Sequence, residues 1–235
     1  MSTTQRPEPL DAAQRGEGHF VWRFNLYHRI THGLVVVSFL LLAATGLPLR
    51  FSCAVWSGPL IAMLGGVEMA GLLHRIGAVI TFLYFGMHLV FVVREIVIAE
   101  DRMKLLWGKE SMVPHPQDVL DFIAQFRWYF GRGPAPKFGR FSYMEKFDYF
   151  AVFWGVFIIG GSGLMLWFPE FFSAVLPGWA FNVASVIHAD EALLATGFIF
   201  SVHFFNVHMR PHKFPLDEVM FTGRATREYM EDEHP

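Results

Sequence analysis

Four of the chain's eleven histidines recur in a pattern: His74 and His88 lie 14 residues apart, and His188 and His203 lie 15 apart. All four sit in or at the edge of long stretches without charge, where an ionisable side chain is costly and marks a functional position. On a helix rising about 1.5 Å per residue, each pair is separated by roughly 21–22 Å along the axis. At about 100° per residue, 14 steps return to within roughly 40° of the start and 15 steps to within roughly 60°. Each helix therefore carries two imidazoles on roughly one face, at two depths. A neutral imidazole nitrogen is a metal ligand, and two that face each other supply both axial ligands of a haem iron. Zinc fits poorly, because it gathers its ligands at one centre. A single histidine in such a stretch is as readily explained by a helix-to-helix hydrogen bond or a proton path. Four at matched levels are not.

The elements that hold these residues follow from the distribution of charge. The chain has 235 residues, 53% of them hydrophobic, and the charges leave four long gaps: Ile30–Leu49, Ile76–Val93, Tyr149–Pro169 and Ala192–Met209. A hydrocarbon core of roughly 30 Å needs about 20 apolar residues of helix, so each gap can cross it. Four such helices would leave a soluble protein little amphipathic surface to face water. The expectation is an all-α, integral membrane four-helix transmembrane bundle, one domain over residues 1–235, with spans at about 30–49, 73–94, 148–169 and 187–209. The first gap follows some 29 polar residues and lacks a small-residue cleavage site, which does not fit a cleavable signal peptide.

Lysine and arginine set the topology. Arg6, Arg15, Arg23 and Arg29 precede the first span. Arg94, Arg102, Lys104, Lys109, Arg127, Arg132, Lys137, Arg140 and Lys146 fill the middle loop, and Arg210, Lys213, Arg224 and Arg227 follow the last span. Only Arg50 and Arg75 fall on the other side. The positive-inside bias puts both tails, 1–25 and 213–235, and the middle loop in the cytoplasm. In that loop Val119, Phe122, Ile123 and Phe126 recur at helical spacing after Pro116, followed by Trp128 and Tyr129. They predict a short amphipathic helix that lies on the membrane surface or packs on a partner subunit. Residues 131–139 form a turn-rich linker into the third span.

The second and fourth spans run in the same direction, so His74 and His188 share an outer level, and His88 and His203 share an inner one. His32, near the inner end of the first span, is a third inner candidate. His28, His208 and His212 lie nearer the surface, as neighbours of haem propionates, lipid or quinone, as solvated groups, or as ligands of a third haem. The single cysteine, Cys53, excludes an intrachain disulfide and a Cys-x-x-Cys-His attachment, so any haem is held without a thioether. It also excludes an iron–sulfur cluster held by this chain alone. Near-zero net charge gives no reason to expect nucleic acid. Arg75 beside His74, and Arg29 at the inner level, suit bidentate pairing with propionates, or anchoring at the interface. Ser142, Glu145 and Lys146, at the inner mouth of the third span, offer polar contacts to quinone carbonyls. Gly46, Gly77, Gly86, Gly160, Gly161, Gly163 and Gly197 either clear room for porphyrin faces or permit close helix packing.

From about Phe24 onward the sequence resembles the cytochrome b subunits of respiratory formate dehydrogenases and nickel–iron hydrogenases. The resemblance is carried by Arg29-x-x-His32 with Thr45-Gly46-Leu47, by Leu73-His74, and by the run from Lys137 to Lys146. Ile187-His188-Ala189 with His203, and the tail from Gly223 to Pro235, continue it. It implies an outer b haem on His74 and His188 and an inner b haem on His32 and His203. It also implies a quinone, menaquinone or ubiquinone, beside the inner haem. The 14 and 15 spacings are instead like those of bc-type cytochromes b, which would pair His88 with His203. The implied protein is an electron-transfer subunit in a bacterial inner membrane. Its partner would be an extracytoplasmic dehydrogenase, hydrogenase, iron–sulfur or multihaem cytochrome c subunit that delivers electrons for quinone reduction. Quinol oxidation feeding an external cytochrome c is the reverse possibility. The rivals are a haem-free, histidine-lined transporter and a haem sensor with an open axial position.

Overall fold

The computed structural model describes residues 20–108, 111–210 and 213–233. Arg6, Arg15, Lys109, His212 and the terminal His234-Pro235 lie outside them. Strand β1 (Phe20–Trp22) leads into helix α1 (Leu26–Arg50), a short α2 (Ser57–Met63) and the long α3 (Val67–Ile98). The middle loop contains α4 (Arg102–Trp107) and α5 (Pro116–Tyr129). The third span is α6 (Tyr143–Gly155), a π-helical turn (Val156–Gly160) and α7 (Gly161–Trp167), followed by the short α8 (Pro169–Ser173). The fourth span is α9 (Gly178–Phe198), continued by π-helical turns at Ile199–His203 and Phe205–Met209. Helix α10 (Val219–Thr222), strand β2 (Arg224–Thr226) and α11 (Arg227–Glu233) close the chain.

Four helices are long and apolar enough to cross a membrane: Leu26–Arg50, Val67–Ile98, Tyr143–Trp167 and Gly178–Met209. The protein is a multi-pass membrane protein with an all-α four-helix bundle. Most helices run past the charge-free gaps because arginine and lysine near a span's ends can extend their heads to the interface while their stems stay apolar. The third stops at Trp167, since Pro169 starts a new helix and disfavours helical geometry at the residue before it. Apolar side chains such as Val37, Val79, Leu83 and Phe157 are exposed and stand outside the interior cavity, as lipid contact requires. Hydroxyls within the spans bond to their own helix: Ser38 to the Val35 carbonyl, Thr81 to Gly77 and Thr196 to Ala192. This satisfies them where no water is available.

Glycines let the spans approach closely. Gly77 lets the first and second spans approach, since a Cβ there would lie 2.9 Å from Leu42 Cγ. Gly160 does the same for the second and third, where a Cβ would lie 3.0 Å from the Phe82 ring. Between the spans, a cavity of about 2790 Å³ is lined from Arg50 and Asp190 at one end to Arg23 and Lys213 at the other. Interiors normally pack as densely as organic crystals, and small-molecule pockets occupy about 300–1,000 Å³. The space is far larger than a packing fault leaves and is open to the surroundings along much of its length.

One end of the bundle gathers both described terminal segments and the approach to the third span. β1 pairs antiparallel with β2, a small ribbon that the apolar pattern does not announce. Arg23 donates to Glu145 at 2.7 Å and to the Arg140 carbonyl at 3.2 Å. The two tails and the loop therefore share one face, as the distribution of lysine and arginine expects.

Helix α5 forms where expected, between a capping box of His115 and Asp118 at its start and Phe130 at its end. Its polar face points inward. Asp118 takes both oxygens to Lys146 Nζ at 2.8 and 3.0 Å, and Gln125 is buried. Its apolar face, with Val119, Phe122, Ile123 and Phe126, is exposed. The Lys146–Asp118 pair, 7% and 13% exposed, ties this helix to the third span. Removing one partner strands the other charge, so Asp118→Ala is expected to destabilise the protein by about 3–5 kcal/mol. Thermal unfolding in detergent should show this, with the double variant Asp118→Ala/Lys146→Met less affected than the single one.

Candidate functional site

At the level farther from the two described chain ends, expected to be the outer one, His74 of α3 and His188 of α9 face each other across the bundle. Their ring centroids are 6.1 Å apart and their planes 69° apart. Two imidazoles bound to one metal through bonds of about 2 Å would place their centroids about 6 Å apart. The Nδ1 atoms are already engaged. Thr45 Oγ1 donates to the Leu41 carbonyl at 2.7 Å and so accepts from His74 Nδ1 at 2.9 Å. His188 Nδ1 donates to the Ile159 carbonyl at 2.9 Å, with Ser162 Oγ at 3.4 Å. Ile159 lies in the π-helical turn of the third span, the kind of irregularity that recurs at functional sites. A proton on each Nδ1 leaves both Nε2 lone pairs free. This is how a ligating histidine is oriented, its second nitrogen fixed by a hydrogen bond.

Two glycines make room for these rings. A Cβ at Gly46 would lie 3.2 Å from His74 Cε1, and one at Gly163 would lie 2.9 Å from His188 Cε1. Gly86, Gly161 and Gly197 would meet nothing within 4 Å, so contact does not demand glycine there. Around this level, Arg50 pairs with Asp190 at 2.9 Å, joining the first and fourth spans. Arg75 lies over the Trp167 ring at 5.9 Å.

The inner level divides into two groups. His203, on a π-helical turn of the fourth span, has Nδ1 2.9 Å from Asp148 Oδ2 of α6. His32 of the first span and His208 lie within electrostatic reach of His203 and of each other. His88 stands elsewhere. Its Nε2 is 2.9 Å from the Tyr149 hydroxyl, and its ring stacks on Phe91 and meets Phe153 edge-on. Tyr27 stacks on Phe91, and His28 meets Phe91 edge-on. The adjacent residues Asp148 and Tyr149 thus serve the two groups, one reaching His203 and the other His88. A π turn takes in one extra residue, so the 15-residue interval on the fourth span corresponds closely to 14 on the regular second.

The remaining expected residues are placed as follows. Ser142 and Glu145 form the capping box of α6, with Glu145 Oε2 accepting from Ser142 N and Oγ at 2.8 and 2.9 Å. The other Glu145 oxygen accepts from Arg23, and Lys146 holds Asp118. Arg29 donates through Nη2 to the Phe221 carbonyl, tying the first span to the C-terminal segment. His208 Nδ1 accepts from Asp217 N at 3.2 Å.

Among the described residues, no three His, Cys, Asp or Glu side chains converge as a metal site. What converges is a pair of imidazoles, which suits a metal whose other ligands come from a planar macrocycle. His74 and His188 fit a b-type haem on this ground, and the cavity and the two glycines beside the rings agree. Sequence reasoning missed Asp148, Tyr149 and Thr45. The available signal was an acid and a phenol at the mouth of a charge-free gap, and a threonine just before Gly46. No family model and no curated protein matches the sequence.

Proposed function

We propose that the protein is a membrane cytochrome b, a bundle that holds two b haems and passes electrons between a quinone and a partner on the opposite face. More particularly, it is an electron-transfer subunit like those of respiratory formate dehydrogenases and nickel–iron hydrogenases, in a bacterial inner membrane with both termini cytoplasmic. The observation that carries this is the outer pair, His74 and His188, with matched spacing, engaged Nδ1 atoms and free Nε2 atoms.

Haem, when bound, would supply one-electron carriage at each level. His74 and His188 would hold the outer one, with Thr45 and the Ile159 carbonyl fixing their tautomers. His203 and His32 hold the inner one, because Tyr149 occupies the Nε2 of His88. Arg75, over Trp167, is the cation at the outer end that can meet a haem propionate, while Arg50 is held by Asp190. The partner is a dehydrogenase, hydrogenase, iron–sulfur or multihaem cytochrome c subunit. The exposed apolar face of α5 lies in the membrane surface at the cytoplasmic end.

The quinone binds near the inner haem. Ser142, Glu145 and Lys146 shape its entrance, and their polar atoms already bond one another, Arg23 and Asp118. His88 and Tyr149, flanked by Phe91 and Phe153, offer what a quinone ring needs: aromatic faces and a hydrogen-bonding pair that can pass a proton. Quinol added to membranes containing the protein is expected to reduce the b haems, in a reaction blocked by quinone-site inhibitors. Haem that dithionite reduces and quinol does not would remove the quinone from this account.

A further inference from the structure

The two levels differ in what holds the second nitrogen of their histidines. At the outer level both partners are neutral oxygens, the Thr45 hydroxyl and the Ile159 carbonyl. At the inner level His203 Nδ1 faces a carboxylate, with Asp148 Oδ2 at 2.9 Å. Both side chains are largely shielded, at 24% and 21% exposure, so their interaction is weakened less by water than a surface pair would be. Asp148 Oδ1 is buried and takes no hydrogen bond from the described residues. His203 is thus the one described group that holds this carboxylate. The nearest acids and bases on the same helix have partners of their own, Glu145 with Arg23 and Lys146 with Asp118.

A carboxylate that accepts the Nδ1 proton of an imidazole pushes electron density toward Nε2 and makes it a stronger donor. A stronger axial donor favours ferric iron, which carries one more positive charge than ferrous. Hydrogen bonding to an axial ligand is among the means by which a protein sets a haem's potential. We propose that Asp148 is a positioning residue that lowers the reduction potential of the inner haem on His203 and leaves the outer haem's potential alone. The step it would tune is the transfer of one electron from quinol or from the partner by way of the outer haem to ferric iron, in which no bond to the iron is made or broken. This rests on the haem ligation given under Proposed function.

The test is a potentiometric titration of the b-haem absorbance in the purified protein, comparing wild type with Asp148→Asn, Asp148→Glu and, as a control at the other level, Thr45→Val. Asparagine keeps an oxygen that can accept the Nδ1 proton but removes the charge. One of the two waves should shift upward in Asp148→Asn while the other stays put. Asp148→Glu should keep that same wave at its wild-type potential, and Thr45→Val should leave it unmoved. If Asp148→Asn loses the inner haem, Asp148→Glu carries the comparison, and a potential raised above wild type for the haem on His203 contradicts the proposal. Two unmoved waves in Asp148→Asn overturn it and leave the haem ligation standing. A wild-type protein without b haem overturns both.

Discussion

Replacing His188 by leucine is expected to halve the haem content of the purified protein, from two per chain to one. The surviving haem should be the inner one. Leucine roughly fills the imidazole's space but has no lone pair, so His74 alone would have to hold the iron, and bis-imidazole ligation is lost. The His74→Leu variant should give the same spectrum, and the double variant should lose nothing more, because the two residues act as one unit and such losses do not add. The reduced-minus-oxidised α band should fall to about half its wild-type size in all three, since each haem contributes comparably. A variant that keeps both haems would remove the outer pair from the account. The Ile159 carbonyl loses the His188 N–H in His188→Leu but keeps the Ser162 hydroxyl at 3.1 Å, so no buried acceptor is stranded and the thermal melt should reflect chiefly the lost haem.

The second large effect separates His32 from His88. His32→Leu is expected to lose the inner haem, whereas His88→Phe should keep both haems and fail in its exchange with quinol. In His88→Phe the Tyr149 hydroxyl loses its partner, and with it the pair that can move a proton. General acid–base groups contribute about 10²–10⁴-fold to rate, so haem reduction by quinol should slow at least about 100-fold while reduction by dithionite is unchanged. The opposite outcome, haem lost with His88 and kept without His32, would restore the pairing that the 14- and 15-residue intervals alone point to.

Much of the architecture was legible in the charges. The four gaps locate four spans, because a hydrocarbon core tolerates few ionised groups, and lysine and arginine place tails and loop on one face. The α5 pattern of Val119, Phe122, Ile123 and Phe126 locates that helix, though not that its polar side is the buried one. That depends on Lys146, 28 residues beyond Asp118, and no local pattern encodes such a pair. The outer pair follows from spacing because His74 and His188 occupy corresponding depths on co-directional helices. The inner level was not legible for two reasons. The π turn over Ile199–His203 changes the azimuth that a regular helix would give His203, and sequence periodicity assumes a constant turn. The partners Asp148 and Tyr149 stand next to each other in a third helix and point to different histidines, which only the packing reveals. Ser142 and Glu145 looked free in the sequence because a capping box and a long-range contact to Arg23 cannot both be seen from spacing.

The most direct test is the haem-to-chain ratio of the purified wild-type protein, read with its reduced-minus-oxidised spectrum and its response to carbon monoxide. The account predicts two b haems per chain, a b-type α band, and no carbon monoxide binding, since both irons hold two imidazoles. A protein with no b-type band would contradict it outright and return the histidines to a proton path or a transport route.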